Sequence, residues 1–283
     1  MKVHLVDGTF ELFRCFHGAP RAQHDGREVG AARGWFATLV SLLRDMEVTH
    51  LAVAFDSVIA PPPTKGGGAE ALIAAQAPLA AAVCRALNVV VWPSGRYQAD
   101  ELLSTGAAKY SADERVQQVV ICATDNDFNQ CVRGERVVVL DRIRSVVTDE
   151  AVVRERYGIS PQQIPDLFAL VGDRSDGLPG VPGWGAKSAS ALLRRYDVLE
   201  AIPLDHTQWD VQVRGAASLA AALRGMYDEA LLCRNLSRLR TDLPVHHSLD
   251  QLAWPGADVA KVAALVDVLG DDTPVARVRR WAG

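Results

Sequence analysis

The sequence predicts an α/β fold: a mostly parallel sheet flanked by helices, followed by a helical C-terminal region. Three observations carry this. Short apolar runs alternate with helical patterns through the first half of the chain, the pattern of a sheet covered by helices. After residue 149 the strand pattern ceases and helical segments dominate. Between two of those segments, residues 172–188 form a glycine- and proline-rich corner that neither helix nor strand interior tolerates. The expected division is an α/β domain over 1–158 and a helical region over 159–283.

The elements follow in order. Residues 3–6 are an apolar strand ending at Asp7-Gly8, and Phe10, Phe13 and Phe16 begin a helix. Residues 21–28 read as a polar loop. Residues 30–46 carry Phe36, Leu39, Val40 and Leu43 at helical spacing. A second strand over 50–55 also ends in an acid, Asp56. The segment 59–68, with three prolines and three glycines, is a loop. An alanine-rich helix over 69–87 precedes a third strand at 88–92. Gln98-Ala99-Asp100-Glu101 opens the next helix, with acids in the first turn where the helix dipole favours them. The fourth strand, 116–122, leads to Asp125-Asn126-Asp127, and residues 136–140 and 145–148 form a hairpin. Helices are expected over 149–157, 161–171, 186–196, 215–235 and 258–269.

Composition bounds the function. The chain of 283 residues has a net charge of −4 and is 49% hydrophobic, which excludes disorder and a protein that coats nucleic acid by bulk charge. Five scattered cysteines without a CxxC pair suit a reducing cytoplasm and no structural zinc. The N-terminus is too short in its apolar run for a signal peptide. Residues 72–92 are interrupted by Gln76, Pro78, Arg85 and Asn88, so no membrane span is expected.

The chemistry lies in the acids. Ligands of open parallel sheets sit beyond the carboxyl ends of the strands, and each of the four strands runs into acids there: Asp7; Asp56; Asp100 with Glu101; Asp125 with Asp127. One such acid is ordinarily a helix cap or turn residue. Four in series repel one another and call for cations. Asp173 and Asp176, before the glycine corner, bring the set to eight. Oxygen ligands without His or Cys favour Mg²⁺ or Mn²⁺, and two such ions serve phosphoryl chemistry. In the corner, Gly180, Gly183 and Gly185 allow tight bending and close approach, while Lys187 and Ser188 stand in the first turn of the next helix, where free amides suit phosphate.

Taken together, Leu5-Val6-Asp7-Gly8, Phe55-Asp56, Ala99-Asp100-Glu101, Asp125-Asn126-Asp127 and the run from Gly172-Asp173 through Asp176-Gly177-Leu178-Pro179-Gly180 to Lys187-Ser188 resemble the 5′ nuclease family of 5′-3′ exonucleases and flap endonucleases, over about residues 1–250. The resemblance implies a PIN-like nuclease domain, with a helix-hairpin-helix in the helical region. It implies Mg²⁺- or Mn²⁺-dependent hydrolysis of DNA near a 5′ end, flap or nick, with two ions held by Asp7, Asp56, Asp100, Glu101, Asp125, Asp127, Asp173 and Asp176. It also implies a duplex grip at Gly180, Gly183, Gly185, Lys187 and Ser188, with K⁺ held by hairpin carbonyls, and Arg14 facing the substrate strand.

Three departures matter. Gln98 stands where the family carries Glu, removing a charge and implying weaker affinity for one ion. Asn126 replaces a usual Lys. The basic, aromatic arch that follows the second motif is shortened here, with Lys65 its one basic residue before Arg85. Lost phosphate contacts and stacking weaken the grip on a single strand. These departures support an alternative, a DNA-junction-binding paralogue with weak or no nuclease activity. A PIN-type ribonuclease is a third reading, disfavoured by the helix-hairpin-helix.

Overall fold

The computed structural model describes residues 1–56, 68–93, 95–173 and 177–282. Its contacts divide the chain into two compact units, Met1–Ala123 with Arg240–Gly283, and Thr124–Leu239.

In the first unit, β1 (Lys2–Asp7) leads into α1 (Gly8–Gly18). The stretch expected as a polar loop contains a small antiparallel hairpin, β2 (Gln23–His24) and β3 (Arg27–Glu28). Its turn residues Asp25 and Gly26 both have positive φ, 47° and 72°, as a two-residue hairpin turn of twist-compatible hand requires. Then come α2 (Gly30–Leu43), β4 (His50–Phe55), α3 (Ala69–Ala86), β5 (Val90–Pro93), α4 (Ala99–Ser111) and β6 (Gln118–Cys122).

The strands lie in the order β5-β4-β1-β6 and pair in parallel, with Asp7 opposite Ala54 and Phe55 opposite Pro93. β1 and β4 are buried on both faces, which explains their unbroken apolar runs. The crossovers from β1 to β4 and β4 to β5 run toward one edge, and that from β5 to β6 runs back. Right-handed crossovers in opposite directions place α1–α3 on one face and α4 on the other.

The sequence from Arg240 onward returns to this unit. Lys109 Nζ donates to the carbonyls of Val245 (2.7 Å) and His247 (2.8 Å), and Tyr110 Oη donates to His247 O at 2.9 Å. Buried Trp254 donates Nε1–H to Leu87 O at 2.7 Å.

In the second unit, β7 (Val137–Asp141) and β8 (Val146–Thr148) form the expected antiparallel hairpin. The helices are α5 (Glu150–Tyr157), α6 (Ile164–Val171), α7 (Ala186–Tyr196), α8 (Ala216–Gly225) and α9 (Tyr227–Ser237). Two expectations are corrected. The helix over 161–171 begins as a separate 3-10 turn, Pro161–Gln163, because Pro165 lacks the N–H that would continue an α-helical ladder into it. The helix over 215–235 is two helices, divided where Met226 takes φ −128°, ψ 27° after the helix-disfavouring Gly225. In the first unit, the final helix α10 is Val259–Leu269, as expected. Among the described residues, no helix is long and apolar enough to cross a membrane.

Candidate metal and nucleic-acid site

At the carboxyl edge of the parallel sheet in the first unit, four of the predicted acids accept backbone amides. Asp7, the last residue of β1, caps α1 by accepting Phe10 N–H at 2.9 Å. Two residues on, Thr9 Oγ1 accepts the amide of Asp56 at 2.8 Å, tying the end of β4 to the start of α1. Asp56 Oδ1 in turn accepts Ala99 N–H at 2.7 Å, fixing the start of α4. Asp100 Oδ1 accepts Glu101 N–H at 2.6 Å, and Glu101 Oε2 accepts the backbone amide of Gln98 at 3.1 Å. Asp56 and Thr9 thus tie the ends of β1 and β4 to the start of α4, while Asp7, Asp100 and Glu101 accept amides within their own segments, and each of these four acids is partly exposed. Gln98 is exposed and N-caps α4.

Arg14, on α1, has its direction set by a buried acid. Glu11, 3% exposed, accepts from Arg14 Nε at 2.9 Å and Nη2 at 2.5 Å, and Nη2 also reaches Thr38 Oγ1 at 3.2 Å. Burial works against the charged guanidinium, but Glu11 outweighs it and holds the Arg14 pKa above its ordinary value. Neither Thr9 nor Glu11 was singled out in the sequence. Glu11 was detectable as the i,i+3 partner of Arg14; Thr9 offered no signal beyond its place beside Asp7.

In the second unit, Asp125 Oδ1 accepts Asp127 N–H at 2.9 Å and so caps the 3-10 helix Asn126–Cys131; Asp125 is exposed and Asp127 is buried. Asp173 begins the glycine corner. Its N–H donates to Leu178 O (3.0 Å), Leu178 N–H returns to Asp173 O (2.7 Å), and Val181 N–H reaches Leu170 O at 2.8 Å. Gly180 has φ +68° and is buried; a Cβ there would stand 2.5 Å from Val171 C. Its part is to let the corner close against the end of α6, so it offers no outer surface. Val181 and Trp184 anchor the turn inward, with Trp184 Nε1–H donating to Leu219 O at 3.0 Å. That leaves Gly183, Gly185 and Lys187 exposed, and Ser188 half-buried and closed onto the Gly185 carbonyl at 3.0 Å. Asp176 and Lys65 lie outside the described residues.

The donor chemistry fits a hard divalent cation: these are carboxylate oxygens, and one amide occupies only one of about four lone-pair sites on a carboxylate. Among the described residues, however, no three His, Cys, Asp or Glu side chains are grouped to hold an ion.

Two family descriptions match nearly end to end: "5'-3' exonuclease, N-terminal resolvase-like domain" over residues 2–158, and "5'-3' exonuclease, C-terminal SAM fold" over 159–260. The chain belongs to the 5′-3′ exonuclease family. Among curated relatives of the chain, DNA polymerase I of Bacillus caldotenax is 34% identical over 95% of the chain and 31% of its own length. DNA polymerase I of Bacillus subtilis is 30% identical over 98% of the chain and 32% of its own length. The chain therefore spans about a third of the curated relatives it matches. Among solved structures, the T5 D15 protein co-crystallised with metal ions has a TM-score of 0.67 at 16% identity, covering 95% of this chain and 98% of that one. The catalytic core of Rad2 in complex with DNA substrate has a TM-score of 0.61 at 12% identity, covering 98% and 91%. At such identities these two establish the fold, an α/β sheet domain followed by a helical region.

Proposed function

We propose that this member of the 5′-3′ exonuclease family is a metal-dependent, structure-specific 5′ nuclease that hydrolyses DNA phosphodiesters at a 5′ end, flap or nick. The observation that carries the reading is the family match over residues 2–260, with the acid motifs at strand ends. Solved neighbours of the same fold include a T5 flap endonuclease with DNA and metal ions, and human GEN1 with Holliday junction DNA, which supports DNA as the partner.

In this reading Asp7, Asp56, Asp100, Glu101, Asp125, Asp127, Asp173 and Asp176 supply the carboxylates for Mg²⁺ or Mn²⁺. Bound ions would activate a water and offset charge at the scissile phosphate. The protein's own contribution is orientation: Asp56 is held by Ala99 N–H and Asp125 by Asp127 N–H, so neither carboxylate must reorganise when a phosphate arrives. Gly183, Gly185, Lys187 and Ser188 would hold the duplex backbone, with K⁺ at hairpin carbonyls. Gly180 shapes that turn, and Arg14, steered by Glu11, would meet a phosphate of the substrate strand.

The test is cleavage of labelled 5′-flap and nicked duplex DNA in Mg²⁺ and in Mn²⁺, beside Asp125→Ala. Cleavage by the native chain and its loss in the variant are expected. Binding without cleavage in either metal overturns the reading, and cleavage that survives Asp125→Ala removes Asp125 from the site.

A further inference from the structure

We propose that Arg96, Tyr97 and Arg240 form a phosphate contact for a single-stranded 5′ extension, beside the Asp100–Glu101 pair. The inference rests on the nuclease reading for its substrate, and it adds three residues that the motifs leave out.

Arg96 and Tyr97 directly precede Gln98, so they stand at the mouth of α4, one residue pair from its acids. The Arg96 guanidinium lies over the Tyr97 ring, 5.1 Å from its centroid, and Nη2 donates to Tyr97 Oη at 2.8 Å. Arg240, remote in sequence, lies over the same ring at 5.8 Å. Its backbone carbonyl accepts from Ser104 Oγ and from Thr105 Oγ1 (3.1 Å), which pins it to α4 one turn beyond the acids. Two cations therefore converge on one aromatic ring, and both are exposed.

Each arginine keeps donors for a ligand. A guanidinium has five N–H groups. Arg96 gives one to Tyr97, while Arg240 gives Nε and Nη2 to Asp242 at 3.0 and 3.1 Å. The ring contacts, with the Arg96–Tyr97 and Arg240–Asp242 hydrogen bonds, restrain both side chains before a ligand arrives, which lowers the entropy lost on binding. A planar fork of donors matches phosphate oxygens, and an aromatic ring among arginines is the kind of surface on which an unstacked strand lies. The neighbouring acids explain the need: a phosphate strand approaching Asp100 and Glu101 meets like charge, and Arg96 before the helix and Arg240 held against it offset that charge.

The experiment uses the full chain and fluorescence anisotropy, with Ca²⁺ present in place of an activating ion. Two labelled DNAs are compared: a blunt hairpin duplex, and the same duplex with a 5′ single-stranded extension. The native chain should bind the extended DNA more tightly. Arg96→Ala and Arg240→Ala should each weaken that binding about three- to tenfold and reduce the salt slope by about 0.7, with blunt-duplex binding and circular dichroism unchanged. Asp242→Asn, which releases Arg240, should tighten binding of the extended DNA. The proposal is overturned if the native chain binds both DNAs equally, if the alanine variants bind as the native chain does, or if they weaken both DNAs alike. Failure to cut DNA in Mg²⁺ or Mn²⁺ would overturn the nuclease reading alone, because the anisotropy contrast requires no cleavage.

Discussion

Asp56 and Asp166 do the same local job in different surroundings, and the contrast separates acids kept for a ligand from acids used for architecture. Each accepts a backbone amide from a distant segment: Asp56 from Ala99 at 2.7 Å, Asp166 from Leu199 at 3.1 Å. Asp56 lies partly exposed at a sheet edge, with no ion pair among the described residues. Asp166 is 1% exposed, with Arg234 Nη1 at 3.7 Å, and Arg234 also bonds Glu200. Burial pushes the Asp166 carboxyl above its usual range despite that arginine, whereas Glu200, bonded to Arg234, is held below its own. A buried acid with its own cation has its charge compensated inside the protein. An exposed acid held only by amides keeps its charge for something from outside.

The largest effect should come from removing charge at the edge while keeping the bond. Asp56→Asn retains an oxygen for Ala99 N–H, so the melting temperature should stay within a few degrees. Flap cleavage should fall about 100-fold or more, the scale of losing several kcal/mol of charge stabilisation. A steady-state assay beside thermal unfolding checks it; equal loss of stability and activity would make Asp56 architectural, like Asp166.

Next is the opposite manipulation. Arg234→Met strands Asp166 without its cation and should cost about 3 kcal/mol of stability, seen as a lower midpoint in urea unfolding. An unchanged midpoint would show that Leu199 N–H alone suffices for Asp166.

A smaller, signed effect lies in pH. The Asp166 value is raised in the folded state, so its contribution is fully present below its ordinary carboxylate range and lost as pH rises through the folded value. The Glu200 value is lowered, so its contribution is present above its ordinary range and lost as pH falls through the folded value. Relative to Asp166→Asn, the native chain should therefore lose stability between pH 3 and pH 7; relative to Glu200→Gln, it should gain. Urea unfolding at both pH values reads the two signs, and a shared sign would break the distinction.

The smallest effect concerns Gln98, exposed at the cap of α4. Gln98→Glu should lower the half-maximal Mg²⁺ concentration for cleavage by about two- to threefold, the scale of one exposed charge interaction. No change would place position 98 outside the field of the bound ion.

The strand-end acids and the glycine corner were legible because each is contiguous: an apolar run into an acid, or glycines between helical patterns. The hairpin over 23–28 was missed and read as a polar loop: Asp25-Gly26 is a turn signal, but strands of two residues carry no periodicity to flank it. The division at Met226 was hidden because apolar helical spacing continues across it. Least visible were pairings over long separations. Nothing near Arg240 in sequence indicates Tyr97, and nothing about Asp56 names Ala99 as its donor. The inward role of Gly180 was hidden for a related reason: glycine marks a close approach without saying whether the approaching surface is protein or ligand.

The return of residues 240–283 to the first unit has a consequence for synthesis on the ribosome. Lys109 and Tyr110 find their acceptors at 245–247, and Leu87 O receives the Trp254 indole. The N-terminal sheet therefore emerges first but waits while residues 124–239 are made, roughly 6–23 s at about 5–20 residues per second. The intervening segment can complete its own contacts in that interval, so the later-encoded unit can be finished before the earlier one is closed.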